Sequence, residues 1–129
     1  MNPEIPAPDD VTREWWDATR EHRLTVQGCD ACGHVQHPPR ALCTGCGRLD
    51  TLALRPTTGS GTVDSWTLVH RAPRPDVPTP YVVARVRLAE GPILLTQLLD
   101  DHTWTIDEAV VVDWHEVPDG RALPVFRRP

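Results

Sequence analysis

The sequence predicts a mostly β chain: a short N-terminal helix, a metal-bound ribbon and a small five-stranded barrel. Three observations lead there. Two Cys-x-x-Cys pairs, Cys29/Cys32 and Cys43/Cys46, stand ten residues apart. Between Thr62 and Phe126, five β-rich stretches are divided by turn residues with no interleaved helix, which points to a barrel rather than to βαβ units. From Val11 to His22, apolar and aromatic residues recur at helical spacing.

Residues 1–10, with Pro3, Pro6 and Pro8 beside Glu4, Asp9 and Asp10, have little to bury. They read as a flexible lead-in, or as a linker joining this unit to another. Asp10 is placed to cap a helix over 11–23. Val11, Trp15, Ala18 and His22 share one face, and acids at its start with Arg20 and Arg23 near its end suit the helix dipole. The ribbon spans 24–50, where short polar segments are punctuated by Cys, Gly and Pro.

The barrel spans 51–129. Its strands are expected at Thr62–His70, Tyr81–Leu88, Ile93–Leu99, Ala109–Val117 and Leu123–Phe126. In the second, Val82, Ala84, Val86 and Leu88 alternate with Tyr81, Val83, Arg85 and Arg87, as a half-exposed strand requires. Glu90-Gly91-Pro92 makes a tight turn, and the proline-rich stretch from Ala72 to Pro80 is the longest irregular connection.

At 129 residues and 40% apolar content the chain supports a modest core, thinnest in its first third, so a further staple is expected there. The net charge of −5 argues against a protein that grips a phosphate backbone. No apolar run nears the roughly 20 residues of a membrane span, and the first residues lack a basic-then-apolar leader. The cytosol is the expected compartment, where four cysteines serve a metal more readily than two disulfides.

Each Cys-x-x-Cys places two sulfurs on one tight knuckle, and two facing knuckles complete a tetrahedron around one Zn²⁺ per chain. Cys29, Cys32, Cys43 and Cys46 are therefore the metal ligands, with Gly33 and Gly47 directly after each pair where the backbone must turn. Iron is the alternative ion for such knuckles. Four thiolates leave no open coordination position, so the site is read as structural. His34 and His37 lie inside the ribbon but are surplus to a filled shell.

No catalytic constellation follows from the remaining residues. Asp100-Asp101-His102 reads as a solvated loop, and Gly59-Ser60-Gly61 as a turn rather than a dinucleotide fingerprint. All 13 basic residues are arginine, a compositional bias that nonetheless supplies forked donors. Arg71, Arg74, Arg85 and Arg87, on the barrel strands and loop, form a candidate site for the phosphates of a nucleotide-like ligand. Adjacent helix residues point about 100° apart, so Trp16 and Trp15 are the candidate partner-binding residues; Trp16 is the better one, because Trp15 lies in line with the chain's own core, and packing of the pair against the barrel is the alternative.

Taken in order, these segments resemble a family: the acyl-CoA-associated zinc-ribbon/OB-fold proteins, long known as a numbered domain of unknown function. The likeness runs from Trp15 to Phe126. It passes through Gln27-Gly28-Cys29-Asp30-Ala31-Cys32-Gly33, Pro38-Pro39-Arg40, Gly59-Ser60-Gly61-Thr62-Val63, Pro80-Tyr81-Val82-Val83-Ala84, Leu88-Ala89-Glu90-Gly91 and Leu123-Pro124-Val125-Phe126-Arg127. Two departures stand out: Thr44 replaces a common proline, and residues 106–109 lack the glycine usual before the penultimate strand.

The resemblance implies a rubredoxin-like ribbon and an OB-fold barrel. It implies a non-catalytic, cytoplasmic subunit of a hetero-oligomer, partnered with a thiolase or thiolase-like retro-aldolase and helping to form its acyl-CoA channel. Some members form the C-terminal half of a hydratase chain in bacterial steroid side-chain degradation. The alternative, from another class, is a single-stranded nucleic-acid-binding OB module in which Trp66, Tyr81, Trp104, Trp114 and Phe126 would stack bases.

Overall fold

The computed structural model describes residues 4–129; Met1, Asn2 and Pro3 of the expected lead-in lie outside the described residues. Helix α1 (Arg13–Arg20) is followed by β1 (Thr25–Cys29), β2 (Val35–Gln36) and β3 (Leu52–Pro56). These strands form an antiparallel sheet in the order β2-β1-β3. Five more strands, β4 (Ser60–Val69), β5 (Tyr81–Leu88), β6 (Ile93–Leu98), β7 (Ala109–Glu116) and β8 (Ala122–Arg127), close a barrel in the order β4-β5-β6-β8-β7, with β7 returning to β4. The fold is the expected one: mostly strands, one short helix, a four-cysteine ribbon and an OB-fold barrel.

Alternation builds the barrel core. Val82, Ala84, Val86 and Leu88 on β5 are buried, as are Leu94 and Leu98 on β6, Val110 on β7 and Phe126 on β8. Fully burying each such aliphatic side chain contributes about 1.5–3 kcal/mol. The turn before β7 lacks its glycine because Asp107 takes the left-handed conformation itself, at φ 69; aspartate visits that region more readily than most residues. A bulge between Val63 and Ser65 interrupts the β4–β5 ladder. It leaves Asp64 against two β5 neighbours, Arg85 (3.6 Å) and Arg87 (3.4 Å).

Helix α1 starts later and is capped differently than expected. Asp9, not Asp10, accepts the free N–H groups: its Oδ1 takes those of Val11 (3.0 Å) and Thr12 (2.9 Å). At the other end His22, at φ 54, stops the helix. The N–H of Arg23 returns to Ala18 (3.0 Å) and that of His22 to Thr19 (3.0 Å), closing the last turn in a Schellman pattern. The left-handed cost at His22 is offset by its ring stacking on Trp114 (5.3 Å, 12°) and pairing with Glu116 (3.0 Å).

The helix is wedged between the two modules, which overturns the assignment of Trp16 to an open surface. Trp15 and Trp16 are each only 7% exposed. Trp15 donates to the Thr25 carbonyl of β1 (3.0 Å). Trp16 lies under the Arg121 guanidinium (4.7 Å), and Thr19 Oγ1 accepts from the Ala122 N–H of β8 (3.1 Å). A helix gripped on two sides buries two faces, so two neighbouring tryptophans both go inward.

Two further features concern the segment limits. β3 lies beyond residue 50, yet it pairs with β1 along its whole length, from Thr25 opposite Pro56 to Cys29 opposite Leu52. Residues 4–10 carry no helix or strand except a turn at Asp10. Ile5 packs on the core, the Pro6 carbonyl accepts from buried Arg121 (2.7 Å), and Glu4 pairs with Arg74 (3.1 Å).

Trp16→Ala should therefore lower the melting temperature of the isolated chain, since truncating a buried Trp costs about 3–5 kcal/mol. Differential scanning calorimetry checks it, and an unchanged melting temperature would place Trp16 outside the core after all.

Candidate functional site

The metal centre is built by one backbone device used twice. In the first knuckle the Gly33 N–H returns to the Cys29 carbonyl (2.9 Å) and the Cys29 N–H takes the His34 carbonyl (2.9 Å). In the second, Gly47 returns to Cys43 (2.8 Å) and Cys43 takes Arg48 (2.9 Å). Gly33 and Gly47 sit at φ 78 and φ 80, where a side chain would be strained. Cys29 and Cys43 are buried, while Cys32 and Cys46 reach the surface.

The sulfur geometry fits zinc. All four ligand atoms lie within 4.8 Å of one another. Cys29 Sγ and Cys46 Sγ are 3.8 Å apart, and Cys32 Sγ and Cys43 Sγ 3.6 Å. Zn–S bonds of about 2.3 Å in a tetrahedron require edges of roughly 3.8 Å. The chain thus places four cysteines to bind one metal ion, in a closed shell that stabilises the fold.

The protonation state of the sulfurs points the same way. The Thr51 hydroxyl, then the Cys32 backbone N–H, hold the Cys29 thiol down to about 6. At Cys32 the His34 N–H favours the thiolate, but burial and the facing Cys43, Cys29 and Cys46 sulfurs outweigh it and push the thiol up to about 12. Four sulfurs this close resist simultaneous ionisation, and a bound cation removes that resistance.

Two buried glutamines, which sequence reasoning missed, carry the second knuckle. Gln27 Oε1 accepts from Gln36 Nε2 (2.7 Å) and the Arg40 N–H (2.9 Å), while Gln27 Nε2 donates to the Arg40 carbonyl (3.0 Å). Gln36 Nε2 also donates to the Leu42 carbonyl (3.1 Å), and its Oε1 accepts from Thr44 N–H (2.9 Å) and Thr44 Oγ1 (2.9 Å). Thr44 thereby gains two bonds, neither of which proline could make. His34 reaches across to Thr44 Oγ1 (2.9 Å), outside the ligand set.

The four candidate arginines divide. Arg85 and Arg87, both on β5, share Asp64 of β4. Arg74, in the loop between β4 and β5, pairs with Glu4 (3.1 Å) and Asp76 (3.4 Å), and Arg71 is exposed nearby in sequence. Asp101, read as part of a solvated loop, pairs with Arg128 (3.1 Å), which also stacks over Trp104 (4.1 Å).

A second feature was invisible in the sequence. A groove of about 520 Å³ lies where helix, ribbon, proline-rich loop and barrel meet, lined in part by Trp15, His37, Val77, Leu95, Trp114 and Leu123. Burial pushes the His37 imidazole down to about 4, so it is neutral at physiological pH. The only hint in the sequence was the length of the loop from Ala72 to Pro80.

Comparisons with known proteins place both modules. Residues 16–51 match the model for the ChsH2 rubredoxin-like zinc ribbon domain, and residues 55–115 the model for the ChsH2 C-terminal OB-fold domain. A Thermomonospora curvata protein named "Probable enoyl-CoA hydratase alpha subunit" is 39% identical over 115 residues, covering 88% of this chain but 36% of that protein. The chain thus spans about a third of that relative. A DUF35 domain-containing scaffold protein of Pyrococcus furiosus is 34% identical over 107 residues, covering 82% of this chain and 77% of the relative. Among solved structures, a chain of the Ltp2-ChsH2(DUF35) aldolase superposes with a TM-score of 0.86 at 36% identity, covering 96% of this chain and 98% of that one. Among the described residues, no helix is long and apolar enough to cross a membrane.

Two measurements test the centre. Cys43→Ser should abolish stoichiometric zinc in elemental analysis and unfold the ribbon, because structural zinc is worth on the order of 10 kcal/mol in such domains. Gln36→Ala should keep the chain folded but weaken zinc binding by about 10–100-fold in chelator competition, as loss of an outer hydrogen-bond partner does.

Proposed function

This chain belongs to the DUF35 family of ChsH2-type zinc-ribbon/OB-fold proteins, and from that premise we propose that it is a non-catalytic accessory subunit of a thiolase-like aldolase. The observation that carries this reading is the chain-long likeness to the ChsH2 part of the Ltp2-ChsH2 aldolase. The names of the archaeal relatives, which call them scaffold proteins, point the same way. The closed four-sulfur shell supports it as well, because a filled tetrahedron holds structure and offers substrate no coordination position.

In this reading the partner performs the chemistry, carbon–carbon cleavage of an acyl-CoA, in the cytoplasm. The substrate is of the kind met in bacterial steroid side-chain degradation. The helix and ribbon grip the partner, with Trp15 at the edge of the groove and Trp16 stiffening the helix from inside. The barrel shapes the acyl-CoA channel, and Arg71, Arg74, Arg85 and Arg87 supply phosphate contacts along it. The enoyl-CoA hydratase relative is about three times longer than its matched part, so a hydratase domain is proposed to work beside this unit, fused or separate.

Co-expression with a thiolase-like aldolase encoded beside this chain tests the reading. The two should copurify, and cleavage should need both; an aldolase fully active alone would defeat it. Within the active pair, changing Arg85 and Arg87 together to Ala should raise KM for acyl-CoA about tenfold or more. Charge-assisted phosphate contacts contribute about 1.5–3 kcal/mol each. An unchanged KM would leave both arginines to their pairing with Asp64.

A further inference from the structure

Every neighbouring pair of barrel strands except one is joined by a ladder of several residues. β6 and β8 run parallel and meet at one residue pair, Leu98 opposite Phe126. Towards the start of both strands they part, and the groove opens there, lined by Leu95 and Gln97 on one side and Leu123 and Pro124 on the other.

The two lips are unequal. In an antiparallel ladder, alternate residues turn both backbone polar groups toward the same neighbour. The Leu99 N–H reaches the Phe126 carbonyl at 2.8 Å. Leu95 and Gln97 alternate in step with Leu99, so they too face away from β5 and toward the groove. On β8 the corresponding groups are covered. The Ala122 N–H donates to Thr19 Oγ1 (3.1 Å), Pro124 has no N–H, and its carbonyl accepts from Thr96 Oγ1 (2.8 Å). The β6 lip keeps open main chain at Leu95 and at the Gln97 N–H, whereas the Gln97 carbonyl accepts from Thr96 Oγ1 (3.5 Å) and lies at the one paired step with β8.

Exposed strand edges are usually blunted by a charge, a proline or a bulge. From Gly91 to Leu99 there is no charged residue, and the ladder with β5 runs without a register shift. Leu95 stands 77% exposed on this lip. In the groove's walls, His37 Nδ1 and His115 Nε2 are buried without a hydrogen-bond partner among the described residues, although buried polar atoms ordinarily have one.

We propose that β6 accepts an added strand: an extended, uncharged segment of the aldolase subunit pairs its backbone with Leu95 and with the Gln97 N–H, and lays an apolar side chain in the groove. This rests on the accessory-subunit reading above. The uncharged lip favours an uncharged segment. A single strand is the occupant because the edge lies in a groove walled by helix, ribbon and proline-rich loop. A second copy would bring the same walls against these, which obstructs edge-to-edge pairing of two barrels.

Residue-resolved amide hydrogen exchange on the free chain and on its complex with the aldolase subunit tests this. The Leu94 and Thr96 amides, already bonded to β5, should be slow in both. Those of Leu95 and Gln97 should slow about a hundredfold or more on complex formation. Leu95→Pro removes the groove-facing N–H together with the leucine side chain and should weaken the complex by roughly tenfold or more, whereas Leu95→Ala, which loses the side chain but keeps that N–H, should lose less. Should Leu95→Pro fail to fold, the exchange data decide alone. A complex in which both amides still exchange at the free rate overturns the proposal, as does an equal loss in Leu95→Ala. So does protection gained without the partner, whether from raised protein concentration (a second copy) or from coenzyme A alone (a small amide-bearing ligand). Failure of any complex to form sinks the accessory-subunit reading itself and the docking mode with it.

Discussion

Four cysteine sulfurs gathered within 4.8 Å need a cation among them, and much of the N-terminal half is arranged around that need. β2 is two residues long, and the second knuckle contributes no strand. Leu42 and Leu49, its largest apolar residues, are exposed rather than packed. Hydrophobic burial cannot hold such a segment, so the metal fixes the two knuckles to each other and the glutamine pair fixes the second to β1 and β2. A glutamine can do this because its amide carries both a donor and an acceptor, and so stands in for a missing peptide partner. Where a longer ribbon would use a ladder, Gln27 and Gln36 use side chains.

The ribbon passes its order to the barrel through continuous bonded chain. Cys29 ends β1, β1 is laddered to β3, and β3 leads through Thr57 into β4. The Thr57 N–H and hydroxyl both return to the Leu24 carbonyl (3.1 and 2.8 Å), and the Thr58 N–H donates to Glu90 in the β5–β6 turn (3.0 Å). Helix α1 closes the other side, with Trp15 on β1 and Trp16 beneath Arg121. Arg121 is 5% exposed, and Asp119 (2.8 Å), the Trp16 face and the Pro6 carbonyl surround it. A buried charge is tolerable when so partnered, and here it ties the first described residues to the start of β8.

What was legible in the sequence was what local spacing controls. Cys-x-x-Cys twice, alternation along β5 and the Glu90-Gly91-Pro92 turn depend on neighbours in the chain, and each appears where it was read. Illegible features depend on residues far apart. Trp16 was assigned outward because one helical face seemed enough, and it turned inward because α1 has a module on each side. Gln27 and Gln36 carry no signal in local spacing, since only the tertiary fold shows that their partners include residues 40–44. Asp107 shows the limit of glycine as a turn signal, because an aspartate in the left-handed region serves the same turn. The groove left no trace beyond the long proline-rich loop, being a gap between two strands distant in sequence.

That gap has a geometric cause. Closing five strands with β8 beside β6 requires one parallel contact, and it comes where both strands end. Right-handed twist makes neighbouring strands diverge from any single crossing point, so a barrel joined there by one residue pair must open toward the strand starts. A longer barrel would fill the opening with side chains. Here Pro124 denies β8 a donor, Thr96 covers its carbonyl, and α1 with the proline-rich loop walls the space without filling it. The helix that joins ribbon to barrel therefore also borders the open edge. Whatever order the metal imposes on β1 reaches Trp15 through the Thr25 carbonyl, and Trp15 is part of the groove wall. The ribbon and the groove are thus linked twice, through the Trp15–Thr25 hydrogen bond and through His37, a ribbon residue that packs on Trp15 (5.5 Å) and lines the groove.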